Sequence, residues 1–316
     1  MKVIVLGGTG FIGRHVCEKL AAEGHSITVP TRRLSAAKHI QMLPRLDLLE
    51  CDVHDAAQLA AAVKGHDVVV NLIAVLHGDE ARFKAVHVAL VEKLVAACQA
   101  SGFAGVGHRI VHVSALGAAP DATSMYQRSK AQGEQVLKNS GLDYAILRPS
   151  VVFGAGDKFL NLFAKLQTVF PVIPLGGADA QFQPVWVEDV AQAVVVLCNY
   201  ENDICSRNIY EAYGDKVYTL ADLVRLAGAC TGNTRPIIPL PRGLARAQAF
   251  AMEFLPGEPL MSRDNVDSMQ APNIASGKLL GLTALGITPA SLAAIAPTYL
   301  MHKDKMNDYR KQANRG

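Results

Sequence analysis

Tyr126 and Lys130, four residues apart, carry the strongest chemical signal in the sequence. On a helix both side chains leave the same face. A free phenol has a pKa of about 10 and is a poor acid–base at neutral pH. A neighbouring ammonium favours the phenolate and brings that value down. A tyrosine so placed can give a proton to a carbonyl oxygen as a hydride reaches the carbon. Ser114 is the third member: it ends the apolar run Arg109–Val113, where its hydroxyl could hold the same oxygen. A Tyr-x-x-x-Lys spacing arises often by chance, and Tyr126 could simply pack. Its position between the fifth and sixth predicted strands favours a site.

A hydride needs a donor, and the start of the chain supplies a place for one. The run Met1–Leu6 reads as a buried strand, and Gly7-Gly8-Thr9-Gly10-Phe11-Ile12-Gly13 then turns into a helix. Gly7 permits the tight turn, Gly10 admits a pyrophosphate to the backbone, and Gly13 lets helix and strand pack closely. The N–H groups around Thr9, Phe11 and Ile12 would face the phosphates, where the helix dipole favours negative charge. The expected ligand is a nicotinamide dinucleotide, and an oxidised nicotinamide beside Tyr126 would lower its pKa further. Enzymes that use NAD usually place Asp or Glu after the second strand to hold the ribose 2′-hydroxyl. Here Thr31-Arg32-Arg33 stands in that position. Two guanidiniums suit a 2′-phosphate, so Arg32 and Arg33 favour NADP(H) over NAD(H).

These groups must be positioned by alternating strands and helices. Strands are predicted at Ser26–Val29, Asp47–Cys51, Asp67–Ile73, Arg109–Val113 and Tyr144–Leu147. Helices are predicted at 11–23, Ala56–Val63, Asp79–Ala100 and Ser124–Asn139. Such alternation argues an α/β fold with a doubly wound parallel sheet. Residues 1–150 form the expected dinucleotide-binding domain. Val185–Val187 and the helix Glu188–Cys198 are read as returning to it within 181–200. Residues 151–180 and 201–302 are expected to build a smaller α/β lobe over the cofactor cleft. That lobe has helices at Phe159–Val169, Thr219–Cys230 and Gly243–Phe254, a loop at Pro171–Pro174, and strands at Asn208–Ala212 and Pro236–Leu240. Residues 303–316 are a polar, mostly basic tail.

The 316 residues are half hydrophobic and 19% charged, which excludes a disordered chain. A formal net charge of +3, with no basic block interleaved with aromatics, argues against a nucleic-acid partner. The six cysteines show no CxxC pairing and read as reduced core residues, and the histidines have no zinc-ligand spacing, so no metal is expected. The uncharged stretch Leu279–Met301 is broken by glycines and prolines, a buried segment and not a membrane span. With a strand starting at residue 2, no leader is expected. The expected location is cytoplasmic, with peripheral contact to an inner membrane left open.

Several motifs together resemble a known group. Gly7-x-x-Gly10-x-x-Gly13, Asp52-Val53, Asn71-Leu72-Ile73, His112-Val113-Ser114, Tyr126-x-x-x-Lys130 and Leu147-Arg148-Pro149 resemble the extended and atypical short-chain dehydrogenase/reductases, the epimerase/dehydratase-like group. Within it, the chain is similar to the NADPH-binding Rossmann accessory subunits of respiratory complex I and their bacterial relatives. The residues carrying that likeness are Ser114–Ala118, Arg148–Gly154, Gln183–Ala191, Arg263–Val266 and Leu285–Ile287. The resemblance implies that Asp52 and Val53 contact the adenine, that Asn71, Leu72 and Ile73 line the cofactor, and that Pro149 and Val151 flank the nicotinamide. Two departures argue against a nucleotide-sugar substrate. Ala115-Leu116-Gly117 replaces the Val-Tyr-Gly region of the epimerases, and Ser150 stands where they tend to have Asn.

Two functions from different classes follow. One is an NADP(H)-dependent oxidoreductase acting on a small apolar carbonyl or quinone-related compound such as ubiquinone, with Ser114, Tyr126 and Lys130 as the catalytic group. The other, implied by the resemblance, is a cofactor-bound structural or assembly protein associated with respiratory-chain proteins. Among weaker candidates, His112 is expected to pack, Asp189 to fix its helix, and Trp186 to lie in the core. The stripe Leu244, Ala247, Phe250, Ala251 and Phe254 is expected to face the lobe core, with a membrane- or quinone-side surface as the other reading.

Overall fold

The computed structural model describes residues 1–103, 105, 107–200, 205–254 and 261–301. β1 (Lys2–Leu6) sends Val3 and Val5 into one core and Ile4 and Leu6 into another. A central strand of a parallel sheet has no polar face, which is why the run is uninterrupted. The chain continues through α1 (Phe11–Ala22), β2 (Ser26–Thr31), β3 (Leu46–Glu50), α2 (Ala56–Val63) and β4 (Val68–Asn71). α3 (Glu80–Lys84) passes through a π-helical stretch (Ala85–Ala89) into α4 (Leu90–Ala100). The single helix predicted over Asp79–Ala100 is thus widened in the middle, around His87. Then come β5 (Arg109–Val113), α5 (Met125–Lys138) and β6 (Tyr144–Pro149).

The remaining elements are β7 (Val152–Phe153), α6 (Leu160–Val169), β8 (Ile173–Gly176), β9 (Gln181–Phe182), β10 (Val185–Trp186) and α7 (Val187–Cys198). They are followed by β11 (Asn208–Ala212), β12 (Tyr218–Thr219), α8 (Leu220–Thr231), β13 (Ile237–Leu240), α9 (Arg242–Glu253), α10 (Arg263–Ser268), β14 (Leu280–Gly281) and α11 (Leu292–Leu300). One eight-stranded sheet has the order β3-β2-β1-β4-β5-β6-β11-β14, and every pairing in it is parallel. Strand order reverses between β1 and β4, the switch point where open α/β sheets bind ligands. This is a doubly wound Rossmann-type sheet, with α1 and α7 packed on one face and α2, α4 and α5 serving the other. A further apolar core joins α6, α8 and α11 around Phe153, Phe163, Leu223 and Leu292.

Four local expectations change. Pro171–Pro174 is not all loop: β8 begins at Ile173 and pairs with β13, because proline is tolerated on a short two-stranded edge. Val185–Trp186 pairs with β7 and not with the large sheet, although α7 does return to pack on α1. Asn208–Ala212, expected among the lobe strands, pairs along its whole length with β6. Finally, α9 buries Ala245 and Ala249, so Leu244, Ala247, Phe250, Ala251 and Phe254 are exposed. Ala245 lies so close to Gly176 that a larger residue could not dock there, and the small-residue stripe wins over the larger one. The Leu279–Met301 stretch becomes β14, a 3-10 turn and the nine-residue α11, with Leu282, Leu292, Ala296 and Leu300 buried. Among the described residues no helix is long and apolar enough to cross a membrane. The tail 303–316 lies outside the described residues.

Candidate active site

The glycine corner sits at the carboxyl end of β1. Gly7 has φ of +83°, a left-handed conformation that L side chains resist. A Cβ on Gly13 would lie 2.2 Å from the Gly7 carbonyl oxygen and 2.6 Å from Gly8 Cα. Helix and strand can therefore meet this closely only with glycine there. Gly10 is the N-cap of α1, which has no side-chain cap and no acidic residue in its first turn. The positive end of α1, with the backbone of Thr9, Phe11 and Ile12 around it, is thus open to an anion. Arg32 and Arg33 are exposed just past β2, where the Thr31 hydroxyl bonds the Arg33 carbonyl at 3.1 Å. Asp52 follows β3 and accepts from the His54 N–H at 3.0 Å, while Val53 is buried. Leu72 bonds through its N–H to Leu6, and Leu72 and Ile73 line the space beside Gly7. These donors, glycines and arginines suit a dinucleotide.

Side-chain parity on the central strands sorts the polar residues. Ile110 faces the core beneath α4 and α5, so His112 and Ser114, at steps of two, lie on that same face. Asn71 lies beside His112 and keeps its side chain inside the protein. Its Oδ1 accepts from the Ile73 N–H at 3.2 Å, so its Nδ2 faces His112 Nδ1, also at 3.2 Å. With Nδ1 accepting, the His112 proton resides on Nε2, which has no partner among the described residues. The Ser114 hydroxyl, on a residue only 3% exposed, is likewise unpartnered. Two such groups on one strand end are available to a ligand or to water. His112 thus packs as expected, with one open nitrogen.

Lys130 is 1% exposed and its Nζ donates to the Val113 carbonyl at 3.0 Å, next to Ser114. Burial pushes its pKa down to about 8, with Glu134 one turn along α5 pulling the other way. Glu134 is fully buried and held by Arg148, at 2.8 Å from Nε and 2.6 Å from Nη2. The pair ties α5 to β6. Tyr126 lies edge-on to His87 at 5.4 Å and to Phe83 at 6.1 Å between ring centres. Burial raises its phenol pKa, so the lowering expected from Lys130 is not supplied by the protein's own groups.

Three contributors carried no chemical signal in the sequence, although Asp264 lies in the Arg263–Val266 run. His87, on the π-helical stretch, accepts from the Val75 N–H at 3.1 Å through Nε2. Its proton is therefore on Nδ1, donated to Ser129 Oγ at 2.8 Å, and Ser129 donates to the Tyr126 carbonyl at 2.8 Å. Burial and the Lys130 charge lower the His87 pKa to about 3. Asp264 of α10 accepts from Ser124 Oγ and from the N–H groups of Met125 and Tyr126. Asn273 accepts from Ser150 Oγ at 2.6 Å, bracing the turn between the buried Pro149 and the half-buried Val151. π-helical turns often mark functional places, but neither that turn nor contacts across more than a hundred residues can be read from local patterning.

Elsewhere, Asp189 accepts from the Ala290 N–H at 2.8 Å and so ties α7 to the C-terminal segment. Trp186 is half-buried against the α6–α8–α11 core. His15, Glu18 and Glu188 come together on the far side of α1, but Lys19 sits 3.1 Å from Glu188 and the Arg14 guanidinium bonds His15 Nε2. All six cysteines are free, five of them buried, and burial raises Cys17 and Cys98 to about 12.

The profile of the NAD dependent epimerase/dehydratase family matches residues 3–212. Subunit 9 of the NADH dehydrogenase [ubiquinone] 1 alpha subcomplex, mitochondrial, from Rattus norvegicus is 32% identical over 294 residues, covering 91% of this chain and 76% of that protein. A ceramide reductase from Caulobacter vibrioides is 29% identical over 198 residues, covering 62% and 60%. In fold, the chain is similar to the NADPH-dependent quinone oxidoreductase QOR2 of Escherichia coli, with a TM-score of 0.74 at 17% identity, over 94% of this chain and 99% of that one.

Proposed function

The chain belongs to the NAD dependent epimerase/dehydratase family, and from that premise we propose that it is an NADP(H)-dependent oxidoreductase acting on a small apolar carbonyl or quinone-related compound. The observation that carries the proposal is the buried, unpartnered Ser114 hydroxyl beside Lys130 at the carboxyl edge of the sheet. NADP(H), when bound, supplies or takes up the hydride. The open end of α1 would hold the diphosphate, Arg32 and Arg33 the 2′-phosphate, and Asp52 and Val53 the adenine side. Asn71, Leu72, Ile73, Pro149 and Val151 would border the rest of the cofactor. Ser114 would hold the substrate oxygen, with the His112 Nε2–H on the same strand face as a second donor.

Tyr126 is the proton donor to that oxygen in reduction. Burial holds its phenol above the free value, so its proton leaves only as charge develops on the substrate oxygen. Lys130 contributes its ammonium to the same region and to the cofactor ribose. An apolar substrate is supported by the similarity to the ceramide reductase of Caulobacter vibrioides.

A second reading is favoured by one observation, the similarity over nine-tenths of the chain to a mitochondrial NADH dehydrogenase subunit. In that reading the bound nucleotide is structural, turnover is negligible, and the chain is a peripheral partner of respiratory-chain proteins. Purified protein separates the two when NADPH oxidation is followed with a panel of aliphatic carbonyls and quinones. The oxidoreductase reading expects turnover that Tyr126→Phe lowers by about a hundredfold or more while NADPH affinity holds. Arg32→Ala with Arg33→Ala should weaken NADPH about tenfold or more and NADH little. No turnover across the panel, with respiratory-chain subunits co-purifying, would favour the second reading. Equal losses for both nucleotides would refute the 2′-phosphate assignment.

A further inference from the structure

We infer that Asp264 is a positioning residue that holds the first turn of α5, and with it Tyr126, from outside the sheet. This rests on reading Tyr126 and Lys130 as the reacting pair. The first N–H groups of any helix lack partners within it. In α5 the N-cap Ser124 accepts from the Gln127 N–H, and no acidic side chain lies in the first turn. The missing negative charge comes from α10 instead. Asp264 Oδ1 accepts from the Met125 N–H at 2.6 Å, and Oδ2 accepts from the Tyr126 N–H at 3.2 Å and from Ser124 Oγ at 2.8 Å.

Asp264 is 7% exposed, so these charge-assisted bonds form away from bulk water and act on the positive end of the α5 dipole. One of them is to the amide of Tyr126 itself. The carboxylate therefore sets the backbone from which the phenol projects.

Asp264 is itself well braced. Ser262 and Asn265 form a capping box at the start of α10, and Arg263 bonds Glu253 of α9 through its N–H at 2.7 Å and its Nε at 3.0 Å. Nine residues further on, Asn273 takes the Ser150 hydroxyl at 2.6 Å, at the carboxyl end of β6. One chain segment thus fastens both the Tyr126 helix and the turn beyond β6. The glycine corner of α1 lies outside it. Loosening Asp264 should disturb proton donation and leave dinucleotide affinity alone.

The test compares full-length wild type, Asp264→Asn, Asp264→Ala and Thr219→Ala. Thr219 heads the capping box of α8 and serves as a cap remote from the site. Amide hydrogen exchange at Met125 and Tyr126 should rise at least about tenfold in Asp264→Ala and less in Asp264→Asn, with α8 amides unchanged. NADPH dissociation constants should stay within about twofold. The single-turnover rate of NADPH oxidation by the acceptor found for wild type should fall about tenfold in Asp264→Asn and about a hundredfold in Asp264→Ala. KM should change little, and Thr219→Ala should keep the wild-type rate. Unchanged exchange at Met125 and Tyr126, or a rate in Asp264→Ala equal to that of Thr219→Ala, would overturn the inference. If wild type binds no nicotinamide nucleotide, the proposed function falls, and the exchange comparison alone still decides the role of Asp264.

Discussion

Lys130 is pulled in two directions, and the balance sets a pH limit on the proposed chemistry. Desolvation favours its neutral form and the carboxylate of Glu134 favours its charged form, leaving a pKa of about 8. The ammonium is present below that value and lost above it. If its charge supports Tyr126, single-turnover NADPH oxidation should fall about tenfold per pH unit above about pH 8. Stopped-flow traces taken across that range check this, and a flat profile would show that the charge plays no part. That Tyr126 and Lys130 share one helix was legible because four-residue spacing is a local fact. The direction of the Tyr126 shift was not, because it depends on the Phe83 and His87 rings that bury the phenol.

At the level of elements, the β1–α1 corner is a tight joint beside the site. Gly13→Ala would place a methyl 2.2 Å from the Gly7 carbonyl, a clash with backbone that no side-chain rotation relieves. Chemical denaturation should show a loss of about 3 kcal/mol or more, together with loss of nucleotide binding. A variant of wild-type stability would mean that α1 does not approach β1 this closely. This corner was readable because strand, glycines and helix are contiguous. The face of α9 was not. Leu244, Phe250 and Phe254 mark one stripe and Ala245 and Ala249 another, and the close approach of Ala245 to Gly176 settles which is buried. Likewise β11 finds β6 only because the last positions of the sheet lie open to it, a matter of topology and not of propensity.

Across the whole molecule, one sheet with cores on both faces carries the site along its carboxyl edge, and a separate apolar core stands beside it. The sheet's alternation of strands and helices was plain in the sequence. Asp264 was invisible as a partner of Tyr126 because 138 residues separate them.

Burying neutral histidines under the sheet has a global cost in acid. His87 has a pKa near 3 in the folded chain against 6.5 for the free side chain, and His112 is shifted in the same direction. Between those values the unfolded chain takes up a proton that the folded chain refuses. For His87 the stability is complete above pH 6.5 and falls toward pH 3 by up to about 1.4 kcal/mol per unit, and His112 acts in the same direction. Lys130 adds a rise as pH climbs from about 8 to 10.5, since there the unfolded chain holds the extra proton. Urea titrations over this range should show a shallower acid slope for His87→Gln; an unchanged slope would mean that His87 is solvated.

A crystal structure of the protein with NADPH bound bears most directly on the whole account. The diphosphate should lie on the N–H groups at the start of α1, the 2′-phosphate against Arg32 and Arg33, and the nicotinamide ring between Ser114 and the Tyr126 hydroxyl. A nucleotide bound elsewhere, or a nicotinamide turned away from Tyr126, would contradict it.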